Sequence, residues 1–233
     1  LDQGLFTARN IDLKRKVHFK PRKCHKTQIT DRTVFTNRLY RDFCSLALTG
    51  YVQMDTVHSS RESKKTLLTM FFTKEKLFLA FLMNRCTKGA VRLIFDRLEK
   101  RMGTYEFTSV FEYILTDRGS EFGDPDALET GVNGIQRSSI YYCDPMQSGQ
   151  KGGLEQAHTM LRMVLPKGTC FEFLTQWDVN LIVNHINSTP RESLDGKTPY
   201  SVALETLGEE VLNAFQLRPI APDEVNLTPK LIR

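Results

Sequence analysis

Apolar and polar residues alternate over residues 51–58, and this period of two predicts a half-buried β-strand. Two apolar runs of strand length follow at residues 66–73 and 77–83, separated only by a short charged connection around Lys74-Glu75. Three consecutive strands with short connections predict an antiparallel meander.

The pattern then changes to a helical period. Val91, Ile94, Phe95 and Leu98 repeat at helical spacing within residues 87–102, and Gly103 is placed to end this helix. We expect further strands over residues 112–116 and 138–143, and helices over residues 33–48, 125–129, 150–165, 175–186 and 199–207. This order predicts an α/β chain with an α+β element order and an RNase H-like fold, in which a five-stranded mixed sheet is flanked by helices.

Residues 1–30 show no sustained periodicity, so we expect an extended arm that orders on contact with a partner. We divide the chain into a basic arm with a linker helix at 1–48, a catalytic core at 49–207 and a C-terminal tail at 208–233. The division separates a region without a core of its own from one that can bury a continuous apolar face.

The formal net charge of +5 is unevenly distributed. Eleven Lys and Arg residues but only two acids lie between Arg9 and Arg41, so the positive charge is concentrated in the arm. Such a segment favours a polyanionic partner, whereas a solvated linker with a basic face is the alternative. The arm residues that we expect to contact DNA are Lys14, Arg15, Lys16, Lys20, Arg22 and Lys23.

The cysteines, the length of the apolar runs and the first residues narrow the cellular setting of the protein. The five cysteines are odd in number and include no Cys-x-x-Cys pair, which is typical of reduced thiols in a cytosol, and His18, Cys24 and His25 lack a second ligand pair at zinc-finger spacing. No apolar run reaches eighteen residues, so we expect no membrane span. Because the chain opens with Leu1 and has no basic-then-apolar leader, we expect no signal peptide and a fragment of a longer protein.

Three carboxylates are candidates for metal-dependent phosphoryl transfer, which needs oxygen ligands that converge on one point. Asp55 lies within a predicted central strand, Asp117 follows the strand of residues 112–116, and Glu155 lies on the long helix. The predicted topology brings these elements together, and Gly152-Gly153 would let the backbone approach a ligand closely. The alternatives are a turn cap or arginine partner for Asp55, a turn aspartate at Asp117 and a solvated helix acid at Glu155.

These acids lie in segments that resemble the catalytic core of DDE transposases and retroviral-type integrases, and that are most similar to the insertion sequence thirty family of bacterial transposases. The matching segments are Met54-Asp55-Thr56-Val57, Leu115-Thr116-Asp117-Arg118-Gly119-Ser120-Glu121-Phe122, Tyr142-Cys143-Asp144-Pro145, Gln150-Lys151-Gly152 with Glu155, Leu165-Pro166-Lys167-Gly168-Thr169, and Gly196-Lys197-Thr198-Pro199-Tyr200. The resemblance implies that Asp55, Asp117 and Glu155 hold Mg²⁺ or Mn²⁺. It also implies that water first nicks the element end and that the freed 3′-hydroxyl then attacks target DNA.

The spacing and the surroundings of Glu155 depart from the family pattern. The gap between Asp117 and Glu155 is slightly long, and we place the surplus in residues 129–137. Gly149 stands where the family usually has tryptophan, while Leu154 and Gln156 each replace a common asparagine. These substitutions leave the local DNA contacts and full activity open.

Further residues are candidate DNA contacts. Arg162 lies seven residues after Glu155, on the same helix face and about 10 Å along it, which favours a phosphate contact over a merely solvated arginine. His158 either touches DNA or is exposed. The remaining candidates are Lys151, Lys167 and Lys197.

Three functional hypotheses follow. The leading one is a transposase catalytic domain whose helix-turn-helix region precedes Leu1, and which acts as a homo-oligomer on terminal inverted repeats and target DNA. The second is a catalytically inactive DNA-binding or assembly module of the same fold. The third is an RNase H-type nuclease, against which the Lys197-Thr198-Pro199 segment favours the transposase.

Overall fold

The computed structural model describes residues 33–232 of the chain. The predicted arm contacts Lys14, Arg15, Lys16, Lys20, Arg22 and Lys23, and the weak zinc candidates His18, Cys24 and His25, lie outside the described residues. The predicted domain boundaries after residues 48 and 207 stay predictions.

A five-stranded mixed sheet forms the centre of the described region. Its strands are β1 (Val52–His58), β2 (Thr66–Phe72), β3 (Leu77–Met83), β4 (Tyr113–Thr116) and β5 (Ser139–Tyr142). Their spatial order is β3-β2-β1-β4-β5, with β1, β2 and β3 antiparallel and β4 and β5 parallel to β1. The meander extended by parallel crossover strands is the RNase H-like arrangement that the pattern predicted, so the fold class is confirmed.

Helices cover the sheet, and every residue of β2 is buried as a result. The helices are α1 (Tyr40–Cys44), α2 (Lys88–Met102), α3 (Thr104–Val110), α4 (Pro125–Glu129), α5 (Gly152–Val164), α6 (Gln176–Asn187), α7 (Pro199–Leu207) and α8 (Glu209–Ala214). None of these described helices combines the length and the apolar character needed to cross a bilayer.

Local chemistry sets several helix boundaries where they were predicted. The Thr87 side chain accepts a hydrogen bond from the backbone N–H of Ala90, and Gly103, with φ +85°, ends α2. Thr198 caps α7 in the same way, with Pro199 as its first residue. These signals can be recognised in sequence because they act over one helical turn.

The helix predicted over residues 33–48 is wrong in extent. The structure has a 3-10 turn at Thr33–Phe35 and the short helix α1. Asn37 and Ala47 adopt positive φ values of 60° and 47°, which an α-helix of L-residues does not accommodate, so the segment cannot be one helix. Helices α3 and α8 were not predicted, and α5 begins at Gly152 after a 3-10 turn at Ser148–Lys151.

A buried arginine anchors residues 129–137, the loop in which we place the extra length between Asp117 and Glu155. Arg137 is fully buried, and its Nη1 lies 2.7 Å from Asp96 Oδ1 and 2.8 Å from Glu99 Oε2 on α2. Its guanidinium also lies over the rings of Phe95 and Phe107. The loop is therefore tied to α2 by a desolvated ion-pair network.

The C-terminal segment packs against the core and α6. Val211, Leu212, Phe215 and Leu217 belong to the main hydrophobic cluster. Three side chains of α6 and its end accept hydrogen bonds from backbone N–H groups of the segment: Asn184 from Arg218, Ser188 from Ile220, and His185 from Asn226. We call these three side chains the α6 clasp.

Candidate active site

Asp55 lies in the middle of β1, with its side chain partly exposed at the sheet. Its Oδ1 accepts a hydrogen bond of 2.7 Å from the Thr56 N–H, and its Oδ2 lies 2.7 Å from Lys151 Nζ. Both carboxylate oxygens therefore have donors, and one of these donors is a full positive charge.

Asp117 lies beside Asp55 because β1 and β4 are adjacent and parallel. Met54 is in register with Thr116, so the next residue of each segment comes to the same edge. The backbone N–H of Gly119 donates to Asp117 Oδ1 at 2.9 Å, and Asp117 Oδ2 lies 3.5 Å from Lys151 Nζ. Two acids that are 62 positions apart in sequence thus face one ammonium group.

Lys151 is the residue that links the two aspartates. The side chain is buried, and its Nζ also lies 3.4 Å from the Met54 carbonyl. Sequence reasoning assigned Lys151 only as a DNA contact, whereas the structure places its ammonium between the two carboxylates. A buried ammonium is costly without such partners, and the two aspartates supply them.

The electrostatics of Asp117 reflect this arrangement. Burial raises the pKa of Asp117, the positive charge of Lys151 opposes the rise, and the negative charge of Asp55 adds to it. The pKa of Asp117 thus reflects both its burial and the charges of its two neighbours.

Glu155 lies at the rim of this pair. It is exposed in the first turn of α5, four residues after Lys151, so the two residues are about one helical turn apart. Among residues 33–232 its carboxylate has no hydrogen-bond partner, and the three acids do not form a group whose oxygens all lie within 4.8 Å. The structure brings Asp55 and Asp117 together and leaves Glu155 beside them.

Gly153 determines how closely α5 approaches the sheet. A Cβ added at Gly153 would lie 2.5 Å from Phe71 Cε1 and 3.2 Å from Gln53 Oε1, whereas one at Gly152 would meet nothing within 4 Å. Gln53 Oε1 in turn accepts a hydrogen bond of 2.8 Å from the Leu154 N–H. The close backbone approach expected at this glycine pair is therefore made to the sheet, and it sets the position of the helix that carries Glu155.

His158 faces the sheet. Its Nε2 lies 2.8 Å from Thr69 Oγ1, and its ring packs edge-on against Phe78. Burial lowers the pKa of His158, an effect that Asp55 opposes and Lys151 reinforces. The predicted DNA contact by this residue stays a prediction, although the described side chain points inward.

The other candidate DNA contacts are spread over the surface. Arg162 is half-buried, its Nη1 lies 3.4 Å from the Leu165 carbonyl, and burial lowers its pKa. Lys167 is exposed, and Lys197 Nζ lies 3.0 Å from a carboxylate oxygen of Glu205. Their roles toward DNA stay predictions.

Glu121 is a buried acid that sequence reasoning did not single out. Thr56 Oγ1 donates to Glu121 Oε1 at 2.7 Å. A Cβ at Gly119 would lie 2.8 Å from Glu121 Oε2 and 3.0 Å from Asp117 Oδ1, so no side chain fits between these two acids. The available signal was the acid four positions after Asp117 in the Asp-Arg-Gly-Ser-Glu segment.

No protein-family model matches the chain. Among curated proteins, the chain is 33% identical to the transposase InsI of insertion sequence element IS30A from Escherichia coli over 88 residues. These residues make up 37% of this chain and 21% of that protein. The chain is also 34% identical to the transposase of insertion sequence element IS1086 from Cupriavidus metallidurans over 91 residues. These residues make up 39% of this chain and 26% of that protein. A putative integrase of a Spiroplasma virus is 27% identical over 146 residues, covering 63% of this chain and 43% of that protein.

Among solved structures, the catalytic core domain of BIV integrase matches with a TM-score of 0.47 and 23% identity, over 67% of this chain and 94% of that one. The catalytic core domain of HTLV-2 integrase in complex with magnesium matches with a TM-score of 0.46 and 16% identity, over 65% and 94% respectively. The matched part of this chain spans about a fifth of the IS30A relative's length. The resemblance to transposases of the IS30 type and to integrases, drawn from the motifs, is confirmed by these relatives.

Proposed function

We propose that this chain, whose relatives include transposases of the IS30 type, is the catalytic core of a DDE polynucleotidyl transferase that nicks DNA ends and joins them to target DNA. The observation that carries the proposal is the convergence of Asp55 and Asp117 on one ammonium group, at 2.7 Å and 3.5 Å. Two carboxylates that converge on one point, one on β1 and one directly after the adjacent parallel strand β4, can hold a metal ion for phosphoryl transfer.

The donor set fits a hard divalent cation. Mg²⁺ and Mn²⁺ prefer oxygen ligands, and Asp55 on β1 and Asp117 directly after β4 supply carboxylate oxygens. The ammonium of Lys151 demonstrates that a positive charge is accommodated between them. Glu155, exposed and without a hydrogen-bond partner in the described region, is free to supply a third carboxylate from the rim.

A bound Mg²⁺ or Mn²⁺ would supply an activated oxygen nucleophile and charge neutralisation at the phosphodiester. Asp55 and Asp117 would hold the cation, at the point where Lys151 now lies between them. The nucleophile is water at the element end and then the freed DNA 3′-hydroxyl at the target. Lys167, Lys197, Arg162 and the basic arm supply positive charge for the phosphate backbone.

The same proposal specifies the partners and the setting. The substrates are terminal inverted repeats and target DNA, and the chain assembles as a homo-oligomer on paired ends in the bacterial cytosol. These statements rest on the resemblance to transposases and on the basic arm, whose residues lie outside the described region.

A strand-transfer assay with Mn²⁺ and labelled element-end DNA tests the proposal. Asp55→Asn, Asp117→Asn and Glu155→Gln should each abolish nicking and joining while circular dichroism remains unchanged. The matched control is Asp223→Asn, an exposed aspartate on the C-terminal segment, which should retain activity. Full activity in all three site variants would refute the proposal.

One observation favours an inactive DNA-binding or assembly module instead. Glu155 does not join the other two acids within 4.8 Å, and its neighbours Gly149, Leu154 and Gln156 depart from the family pattern. In that case DNA binding should weaken with salt, with a slope of about −0.9 per phosphate neutralised, and no metal-dependent cleavage should appear. Cleavage of RNA–DNA hybrids in place of DNA would identify the RNase H-type alternative.

A further inference from the structure

A cluster of three metal-binding side chains lies beside the aspartate pair and is made of different residues. His58 ends β1, Cys86 precedes α2, and Glu121 lies in the 3-10 turn after β4. One ligand atom from each residue, the imidazole nitrogen, the thiol sulfur and a carboxylate oxygen, lies within 4.8 Å of the other two. We call this group the His–Cys–Glu cluster.

Two members of the cluster, His58 and Cys86, line a cavity of about 390 Å³, and Glu121 lies behind them. His58, Cys86, Ser60 and Thr66 all line it. The hydroxyl oxygens of Ser60 and Thr66 are buried and have no hydrogen-bond partner among the described residues, and Thr66 as a whole is only 3% exposed. Buried hydroxyls are normally hydrogen-bonded, so these two leave polar atoms unpaired beside the cluster.

The three types of ligand atom indicate which metal ion the cluster would prefer. Nitrogen, sulfur and carboxylate oxygen together favour Zn²⁺, whereas Mg²⁺ prefers oxygen alone. Three protein ligands beside an open cavity leave a fourth position for water, as in open zinc sites. Glu121 is already oriented for this role because Thr56 Oγ1 holds its Oε1 at 2.7 Å.

We propose that His58, Cys86 and Glu121 form a Zn²⁺ site that is distinct from the Asp55–Asp117 pair. The three ligand atoms lie within 4.8 Å of one another, and rotation of the exposed His58 side chain would draw its ring nitrogen toward a bound ion. On binding, the Cys86 thiol releases its proton to solvent and coordinates as the thiolate.

The position of the site gives it a structural consequence. His58 follows Asp55 by three residues on β1, and Glu121 follows Asp117 by four residues. A Zn²⁺ ion in the His–Cys–Glu cluster therefore connects the two segments that carry the aspartates, and it also fixes the start of α2 through Cys86. This inference concerns metal binding and stability, and it stands whether or not the chain is a transposase.

Cobalt binding tests the proposal directly. Metal-free full chain titrated with Co²⁺ should develop a thiolate-to-cobalt charge-transfer band that saturates at one equivalent, and Zn²⁺ should displace it. Cys86→Ser should abolish the band. The matched control is Cys24→Ser, because Cys24 is the cysteine near His18 and His25 in the arm, and this variant should retain the band.

Two further variants check the other ligands. His58→Gln and Glu121→Gln should each weaken Co²⁺ affinity by more than about tenfold, the scale on which lost coordination partners act. Zn²⁺ should also raise the melting temperature of the wild-type chain and of Asp55→Asn but not that of Cys86→Ser.

The outcomes separate this site from the proposed active site. Asp55→Asn should keep the cobalt band, whether or not it loses strand transfer. The proposal is overturned if the wild-type chain shows no band, if the band survives in a folded Cys86→Ser variant, or if Cys24→Ser removes it. If Asp55→Asn loses Co²⁺ binding while Cys86→Ser keeps it, the metal lies at the aspartate pair. That result would also overturn the proposal.

Discussion

Lys151 Nζ lies 2.7 Å from Asp55 Oδ2, so the protein places a cation of its own between the acids proposed to bind metal. The same ammonium is 3.5 Å from Asp117 Oδ2. A divalent ion that uses both carboxylates must compete with this internal charge, because the two cations repel each other at such distances.

This competition predicts that Lys151→Met increases Mn²⁺ affinity. One charge-assisted contact is worth about 1.5 kcal/mol, so the gain should be on the order of tenfold. Isothermal titration calorimetry with Mn²⁺ alone measures it. Lys197→Met is the control, because Lys197 is also paired with an acid but lies outside the site, and it should leave the affinity unchanged. Weaker Mn²⁺ binding by Lys151→Met would contradict the competition.

The contact between α5 and the sheet predicts a difference between two neighbouring glycines. Gly153→Ala introduces a Cβ that would overlap Phe71, so it should destabilise the fold by about 1–3 kcal/mol. Gly152→Ala meets no atom within 4 Å at a helical φ of −56°, and should be neutral or stabilising by up to about 1 kcal/mol. Urea denaturation of both variants measures the difference, and equal stabilities would show that α5 does not need this close approach.

The buried network around Arg137 predicts a large effect on stability. Arg137→Met leaves Glu99 buried without its ion-pair partner, and should cost about 3–5 kcal/mol of unfolding free energy. Arg92 also pairs with Asp96 but is exposed, so Arg92→Met should cost less than about 1 kcal/mol. Chemical denaturation compares the two variants. A small loss for Arg137→Met would mean that the packing of its neighbours, rather than its charge, holds the loop.

His185 predicts a dependence of stability on pH. Burial lowers the pKa of His185, an effect that Glu224 opposes, and its Nδ1 accepts the Asn226 N–H, which requires the neutral ring. Below the unfolded value of about 6.5, the unfolded chain binds a proton that the folded chain resists, so stability should fall as the pH drops.

Urea denaturation at pH 7.5 and pH 5.5 measures this change. His185→Gln should flatten the dependence without removing it, because burial also lowers the pKa of His158 and acts in the same direction. An unchanged slope in the variant would show that His185 does not contribute.

The elements predicted correctly are those whose signals are local. The strands of the meander follow from short apolar runs, and α7 follows from Thr198 and Pro199 within a single turn. The parallel register of β1 and β4 then brings Asp55 and Asp117 together, so the pairing of these two acids follows from the predicted topology.

The features that were missed depend on long-range packing. From the sequence, Lys151 is indistinguishable from a lysine on the surface. Only the fold brings its side chain to Asp55 and Asp117. Arg137 likewise is in a loop by sequence, yet α2 surrounds it with acids and aromatic rings. The break of the first helix depends on positive φ values at Asn37 and Ala47; asparagine tolerates this conformation, but its tolerance does not say which asparagines adopt it.

The α6 clasp binds the main chain of the C-terminal segment, since Asn184, His185 and Ser188 all accept backbone N–H groups. The hydrogen bonds of the clasp therefore do not depend on which side chains stand at positions 218, 220 and 226. Proline is the exception, because it has no N–H to donate. The clasp thus constrains the main chain of the segment, whereas burial in the core constrains its side chains at Val211, Leu212, Phe215 and Leu217.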